Sequence, residues 1–160
     1  MISRTRWEVG DTVAHVEEYA LVRAPIQPVF DLIADHRRAL TWLTGFTRFD
    51  WVGGPENGVG ARVLTEGEYL GFVISAELEI VAFDPPWRLV SKSTGRIKST
   101  TTWALQTVDE GTRVSFIGDY TLPLALRLVG DLAVEHMVGG QVRQSLVNLQ
   151  ALFAADAPST

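Results

Sequence analysis

PLALRLVGDLAVEHMVGGQVRQSLVNLQALFA, residues 123 to 154, has the spacing of one long amphipathic helix. At about 100° per residue from Leu149, the residues Leu128, Val138, Val142, Leu146, Leu149, Leu152 and Phe153 fall on one side. Arg127, Arg143, Gln144 and Gln150 fall elsewhere. Asp131 and Glu135 depart from this division, being acids on the apolar stripe, one helical turn apart. The pair Gly139-Gly140 interrupts an otherwise good helix at about 1 kcal/mol each relative to Ala. Such a pair bends a helix or leaves room beside it. A stripe carrying acids and glycines predicts a helix laid over a sheet with a space between them.

The segments before the helix alternate with the period of strands. Thr112 to Leu122 places Val114, Phe116, Gly118, Tyr120 and Leu122 on one face, and Asp109-Glu110-Gly111 turns the chain into it. Ile97 to Thr107 carries Ile97, Ser99, Thr101, Trp103 and Leu105 on one side. Further back come Arg88 to Thr94 and the most regular run, Phe72 to Phe83. In that run Phe72, Ile74, Ala76, Leu78, Ile80 and Ala82 oppose Ser75, Glu77 and Glu79. Ala61 to Glu66 and Phe46 to Val52 are joined through Gly53-Gly54-Pro55-Glu56-Asn57-Gly58, a turn by its residue types. His15 to Arg23 is the first strand, with Val16, Ala20 and Val22 on one side and His15, Glu17, Tyr19 and Leu21 on the other, a face that either meets water or lines a cavity. Two short helical pieces follow, Pro25 to Ala34 and Arg37 to Leu43. Consecutive hairpins imply an antiparallel sheet that twists and curls around the helix. The fold class is therefore α+β, a curved sheet of about seven strands around a long C-terminal helix, with two short helices after strand one.

This order resembles that of the helix-grip proteins, the superfamily of birch-pollen-allergen-like proteins, START lipid-transfer domains and bacterial polyketide cyclases/dehydratases. The residues that carry the resemblance span about 14 to 154. They are Ala24-Pro25 with Val29-Phe30, Asp35 and Trp42, Gly58-Val59-Gly60, Asp84-Pro85-Pro86-Trp87-Arg88-Leu89, Gly111-Thr112-Arg113-Val114, and Asn148-Leu149-Gln150-Ala151-Leu152. The resemblance implies a cavity between helix and sheet, open near the short helices, that holds apolar or partly polar small molecules. It also places Trp42 near the cavity mouth. Some aromatic polyketide cyclases of the superfamily use an arginine on the long middle strand, and Phe72 to Phe83 contains no Arg, Lys or His.

Composition narrows the partners. With 160 residues, 46% of them hydrophobic, one helix-grip domain with a core of about residues 12–154 and loose ends is expected. A net charge of -5 argues against nucleic acid, and no apolar run reaches the roughly 18 residues of a membrane span. The first residues, with Arg4, Arg6 and Glu8, do not read as a signal peptide, and a reducing cytoplasm is the default compartment. Without cysteine there is no thiolate ligand or nucleophile, and His15, His36 and His136 stand in no metal-ligand spacing. No cofactor or metal is expected, and oligomeric state is not encoded in any visible pattern.

The candidate catalytic groups are Glu135 and Asp131, which as an acid/base pair facing a cavity would serve enolisation, aldol closure or dehydration. The competing reading leaves both in solvent at the helix start. Trp42, Trp103, Phe116 and Tyr120 would line the cavity, with Ser99 and Thr101 offering hydroxyls to a ligand oxygen. Leu78 on the dry strand would face Val138, Gly139 and Val142 on the helix. Two functions from different classes stay open: a cofactor-independent cyclase/dehydratase acting on a hydrophobic, polyketide-like or lipid-like molecule, and a noncatalytic carrier or sensor of such a molecule. A protein-interaction module is the third.

Overall fold

Each run of alternating residues ends in a turn that returns the chain beside it, so the strands build one antiparallel sheet in a computed structural model that describes residues 13–69, 71–95, 97–122 and 130–155. The strands are β1 (Val13–Val22), β2 (Phe46–Gly53), β3 (Arg62–Tyr69), β4 (Phe72–Asp84), β5 (Arg88–Thr94), β6 (Lys98–Val108) and β7 (Gly111–Thr121). Their order in space is β1-β7-β6-β5-β4-β3-β2. Neighbours from β2 to β7 are hairpin partners, whereas β1 pairs with β7, far along the chain. The connection from β1 to β2 must therefore cross from one sheet edge to the other. It does so through α1 (Ile26–Ala34) and a 3₁₀ helix, His36–Thr41. Asp35 caps the second of these by accepting from the Arg37 backbone N–H at 3.0 Å.

The long helix, α2 (Asp131–Ala155), begins after Gly130, whose φ of +92° only glycine adopts freely. The expected first turns, Pro123 to Val129, lie outside the described residues. Val134, Val138, Val142, Leu146 and Leu149 are buried along α2, as the apolar stripe requires. They meet Ala14 and Val16 of β1, Val114 and Phe116 of β7, and Trp103 and Leu105 of β6 in one core.

β1 is an edge strand, and α2 covers its free edge. The Glu135 carboxylate accepts from the His15 backbone N–H at 2.7 Å, and Gln150 Nε2 donates to the Leu21 carbonyl at 2.8 Å. Between them Arg143 pairs with Glu18 at 2.8 Å. Glu135 and Gln150 thus satisfy backbone groups that an uncovered edge would offer to another chain, and the ion pair clamps the helix to the strand between them.

The alternation of β4 holds only as far as Ile80. A register shift between Ile80 and Ala82 inserts an extra residue, so Phe83 rather than Ala82 turns inward and meets Phe30 edge to face at 5.5 Å. At the other end Phe72 is exposed, because the β3–β4 hairpin runs past the core.

Candidate functional site

Because α2 is anchored along β1, the inward faces of the middle strands stand away from part of it and a cavity of about 200 Å³ lies between them. The floor is made by inward positions of the middle strands: Val63 and Thr65, then Ile74, Ala76, Leu78 and Ile80, then Ser91 and Ser93, then Ser99, Thr101 and Trp103. Phe116 and Tyr120 of β7 form one wall, and Val134, Met137, Val138 and Val142 of α2 form the roof. Gly118 lies buried between those two aromatic residues. A Cβ there would come within 2.9 Å of the Phe116 ring and 2.8 Å of the Tyr120 ring, so glycine lets both rings lean to the cavity side.

The cap contributes Ile33, Ala39, Trp42 and Leu43. Three polar residues of α2 at successive turns hold it in place. Ser145 Oγ accepts from the Thr44 N–H at 2.9 Å, the Gln141 carbonyl accepts from Thr44 Oγ1 at 2.8 Å, and Asn148 Nδ2 donates to the Trp42 carbonyl at 3.0 Å. Trp42 is 1% exposed and packs edge to face on Trp103 at 5.2 Å, which in turn packs on Phe116 at 4.9 Å. Trp42 is thus part of the inner wall and not the mouth, a correction that follows from the cap folding inward onto α2. Among the described residues its Nε1 is the one buried side-chain polar atom without a hydrogen-bond partner.

The predicted lining residues Trp42, Leu78, Ser99, Thr101, Trp103, Phe116, Tyr120, Val138 and Val142 all reach the cavity wall. Gly139 does not. A Cβ on it would lie 3.5 Å from Glu18 Oε2 and 4.0 Å from Val16 Cγ1, so it marks the close approach of α2 to β1. Glu135 likewise belongs to that seam, since its carboxylate is committed to the β1 backbone. The side chain of Asp131 lies outside the described residues.

The residues missing from the sequence reading are Ser91 and Ser93 on β5, and Thr44, Gln141 and Ser145 at the cap. Ser91 and Ser93 alternate with exposed Lys92 and follow Leu89, a period-two signal that was available. Ser91 Oγ lies 2.7 Å from Thr101 Oγ1, and Ser93 Oγ lies 2.7 Å from Ser99 Oγ while donating to the Ile97 carbonyl at 3.0 Å. Thr65 donates its hydroxyl hydrogen to the Ala76 carbonyl. The cavity is therefore an apolar chamber crossed by one stripe of paired hydroxyls. His36 and the exposed Glu56 stand among the lining residues, and no Lys or Arg does among those described. No group of His, Cys, Asp and Glu able to hold a metal occurs among the described residues.

The family model for polyketide cyclase / dehydrase and lipid transport proteins matches residues 13–154. The chain belongs to this family. A comparison with curated proteins finds no match. Among solved structures, TTHA0849 from Thermus thermophilus is similar with a TM-score of 0.76 at 20% identity, over 92% of this chain and 100% of that one. The di-domain ARO/CYC StfQ of the steffimycin biosynthetic pathway matches with a TM-score of 0.73 at 14% identity; 90% of this chain is covered, but only 51% of StfQ, about half of that two-domain protein. Ara h 8.0201 matches with a TM-score of 0.66 at 14% identity, over 90% of this chain and 99% of that one. At these identities the likeness is one of fold, and the fold is the helix-grip arrangement. No helix among the described residues is long and apolar enough to cross a membrane.

Proposed function

We propose that this family member binds a hydrophobic small molecule, polyketide-like or lipid-like, in the chamber between α2 and the sheet. The observation that carries the reading is the chamber itself: a folded core normally closes to crystal-like density, yet here about 200 Å³ stays open under an apolar roof. Binding and carriage is the function that this geometry supports best. Chemistry on the bound molecule, as cyclisation or dehydration, is the second reading, favoured by the family. The side chains at hand for proton transfer would then be Tyr120 and His36, which line the cavity, rather than Glu135.

The test uses tryptophan fluorescence, because Trp42 and Trp103 line the cavity while Trp51 and Trp87 are exposed. Prodan, an uncharged fluorescent ketone, should bind at one per chain with blue-shifted emission and quench the tryptophans. In Trp42→Phe/Trp103→Phe most of that quenching should disappear, and in Trp51→Phe/Trp87→Phe it should remain. Quenching that survives the first pair of substitutions and not the second places the probe outside the chamber and ends the proposal.

A further inference from the structure

The hydroxyl stripe on β5 and β6 has a definite count of donors and acceptors. Ser91 and Thr101 are cross-strand partners that bring two hydroxyl hydrogens to one mutual contact of 2.7 Å, so one hydrogen remains to donate into the cavity. Ser93 and Ser99, the next inward pair, differ. Ser93 gives its hydrogen to the Ile97 carbonyl, so the 2.7 Å contact between the two takes the hydrogen of Ser99. That pair has no hydrogen left and offers only lone pairs. One end of the stripe donates and the other accepts.

Charge supplies the second observation. No Lys or Arg is among the described lining residues, the one acid, Glu56, is exposed, and the one histidine, His36, belongs to the cap and not to the floor strands that carry the hydroxyls. A carboxylate or phosphate held on the apolar floor would be an unpaired buried ion, which is far costlier than a buried carbonyl met by one donor.

We infer that the cavity selects an uncharged ligand with a carbonyl or ether oxygen at Ser91/Thr101 and a hydroxyl at Ser99, two strand residues or about 7 Å further along. The inference rests on the proposed ligand site and adds the ligand's charge class, its two oxygens and their order. The hydroxyl pair Ser91/Thr101 is then the specificity determinant, and the apolar roof contributes affinity without selecting among oxygenated frames.

Four naphthalene probes of nearly one shape separate the possibilities in titrations followed by NMR. Acetylnaphthol, with ketone and hydroxyl at opposite ends of the rings, should bind tightest. Ethylnaphthol, lacking the ketone, should bind about tenfold more weakly, as should acetyl-methylnaphthalene, lacking the hydroxyl, each having lost one hydrogen bond. Hydroxynaphthoate should bind at least about a hundredfold more weakly. In Ser91→Ala/Thr101→Val, which keeps the volume of the wall, acetylnaphthol should fall to the level of ethylnaphthol while ethylnaphthol is unchanged. Thr101→Ser, which keeps the hydroxyl, should retain the ketone preference. Hydroxynaphthoate binding as well as acetylnaphthol, or a ketone preference that survives the double substitution, overturns the inference and leaves the cavity reading standing. Failure of all the uncharged probes to bind the wild-type protein overturns the cavity reading itself.

Discussion

His15 is held from three directions at once: Nδ1 lies 2.6 Å from Asp119 Oδ1, Nε2 lies 3.1 Å from Glu17 Oε2, and the backbone N–H donates to Glu135. Only the imidazolium can donate from both ring nitrogens, so hydrogen bonding to Asp119 first, and then to Glu17, raises the pKa above its ordinary 6.5. A raised folded-state pKa means that protonation favours the fold. The contribution is complete below the unfolded value and is lost as pH rises through the folded one. Because the ring is 49% exposed, solvent screening limits the effect to at most about 1 kcal/mol. The urea midpoint of His15→Gln should therefore fall below wild type at about pH 5, and the gap should close by about pH 9; a gap that widens with pH contradicts the ion-pair account. The placing of His15 and Glu17 on one face, open to water or to a cavity, was legible from the alternation of β1. The depth of Trp42 was not, since helical spacing gives a side chain's face but not how closely a cap folds onto the helix beneath it.

At the level of elements, α2 does two jobs along its length, and its sequence stripe does not separate them. Glu135, Gly139, Arg143 and Gln150 form the seam against the edge strand, whereas Val138, Gln141, Val142 and Ser145 face the chamber. An acid or a glycine on an apolar stripe reads the same whether a cavity or a strand edge lies below it, so spacing alone does not separate Glu135 and Gly139 from the lining. The strands were more legible because period two leaves one choice of face, and the exception, Phe83, follows a bulge that alternation cannot announce. The glycine pair is open to test. A Cβ at Gly140 would meet only Arg143 Nη2, at 3.8 Å, an ordinary contact. Since Ala exceeds Gly in a helix interior by about 0.8–1 kcal/mol, Gly140→Ala should stabilise the protein by about that amount in urea denaturation. Gly139→Ala meets Arg143 Nη1 at 3.4 Å as well as Glu18, so its gain should be smaller. Loss of stability in Gly140→Ala would mean that the pair is needed for a bend.

For the molecule as a whole, the covered edge and the open chamber are consequences of one placement. Setting α2 against β1 covers that sheet edge and leaves an open space between the helix and the inward faces of β3 to β6. What the protein forgoes there is packing, and filling the space measures how much. Ala76 lies at the centre of the floor, between Ile74 and Leu78, with its side chain toward the cavity. Ala76→Leu adds three carbons to a space of about 200 Å³, enough to seat them without displacing the roof. At about 0.8 kcal/mol per buried CH₂, the added burial could contribute up to about 2 kcal/mol, reduced by lost rotamer freedom and any misfit. The expected result is a protein at least as stable as wild type, by about 1 kcal/mol, in which prodan no longer binds. An ordinary close-packed core gives the opposite pair of outcomes: overpacking by Leu would cost about 1–3 kcal/mol, and there would be no probe binding to lose. Urea denaturation and prodan titration on the same variant thus read the two sides of one trade, stability given up at the floor and open space kept there.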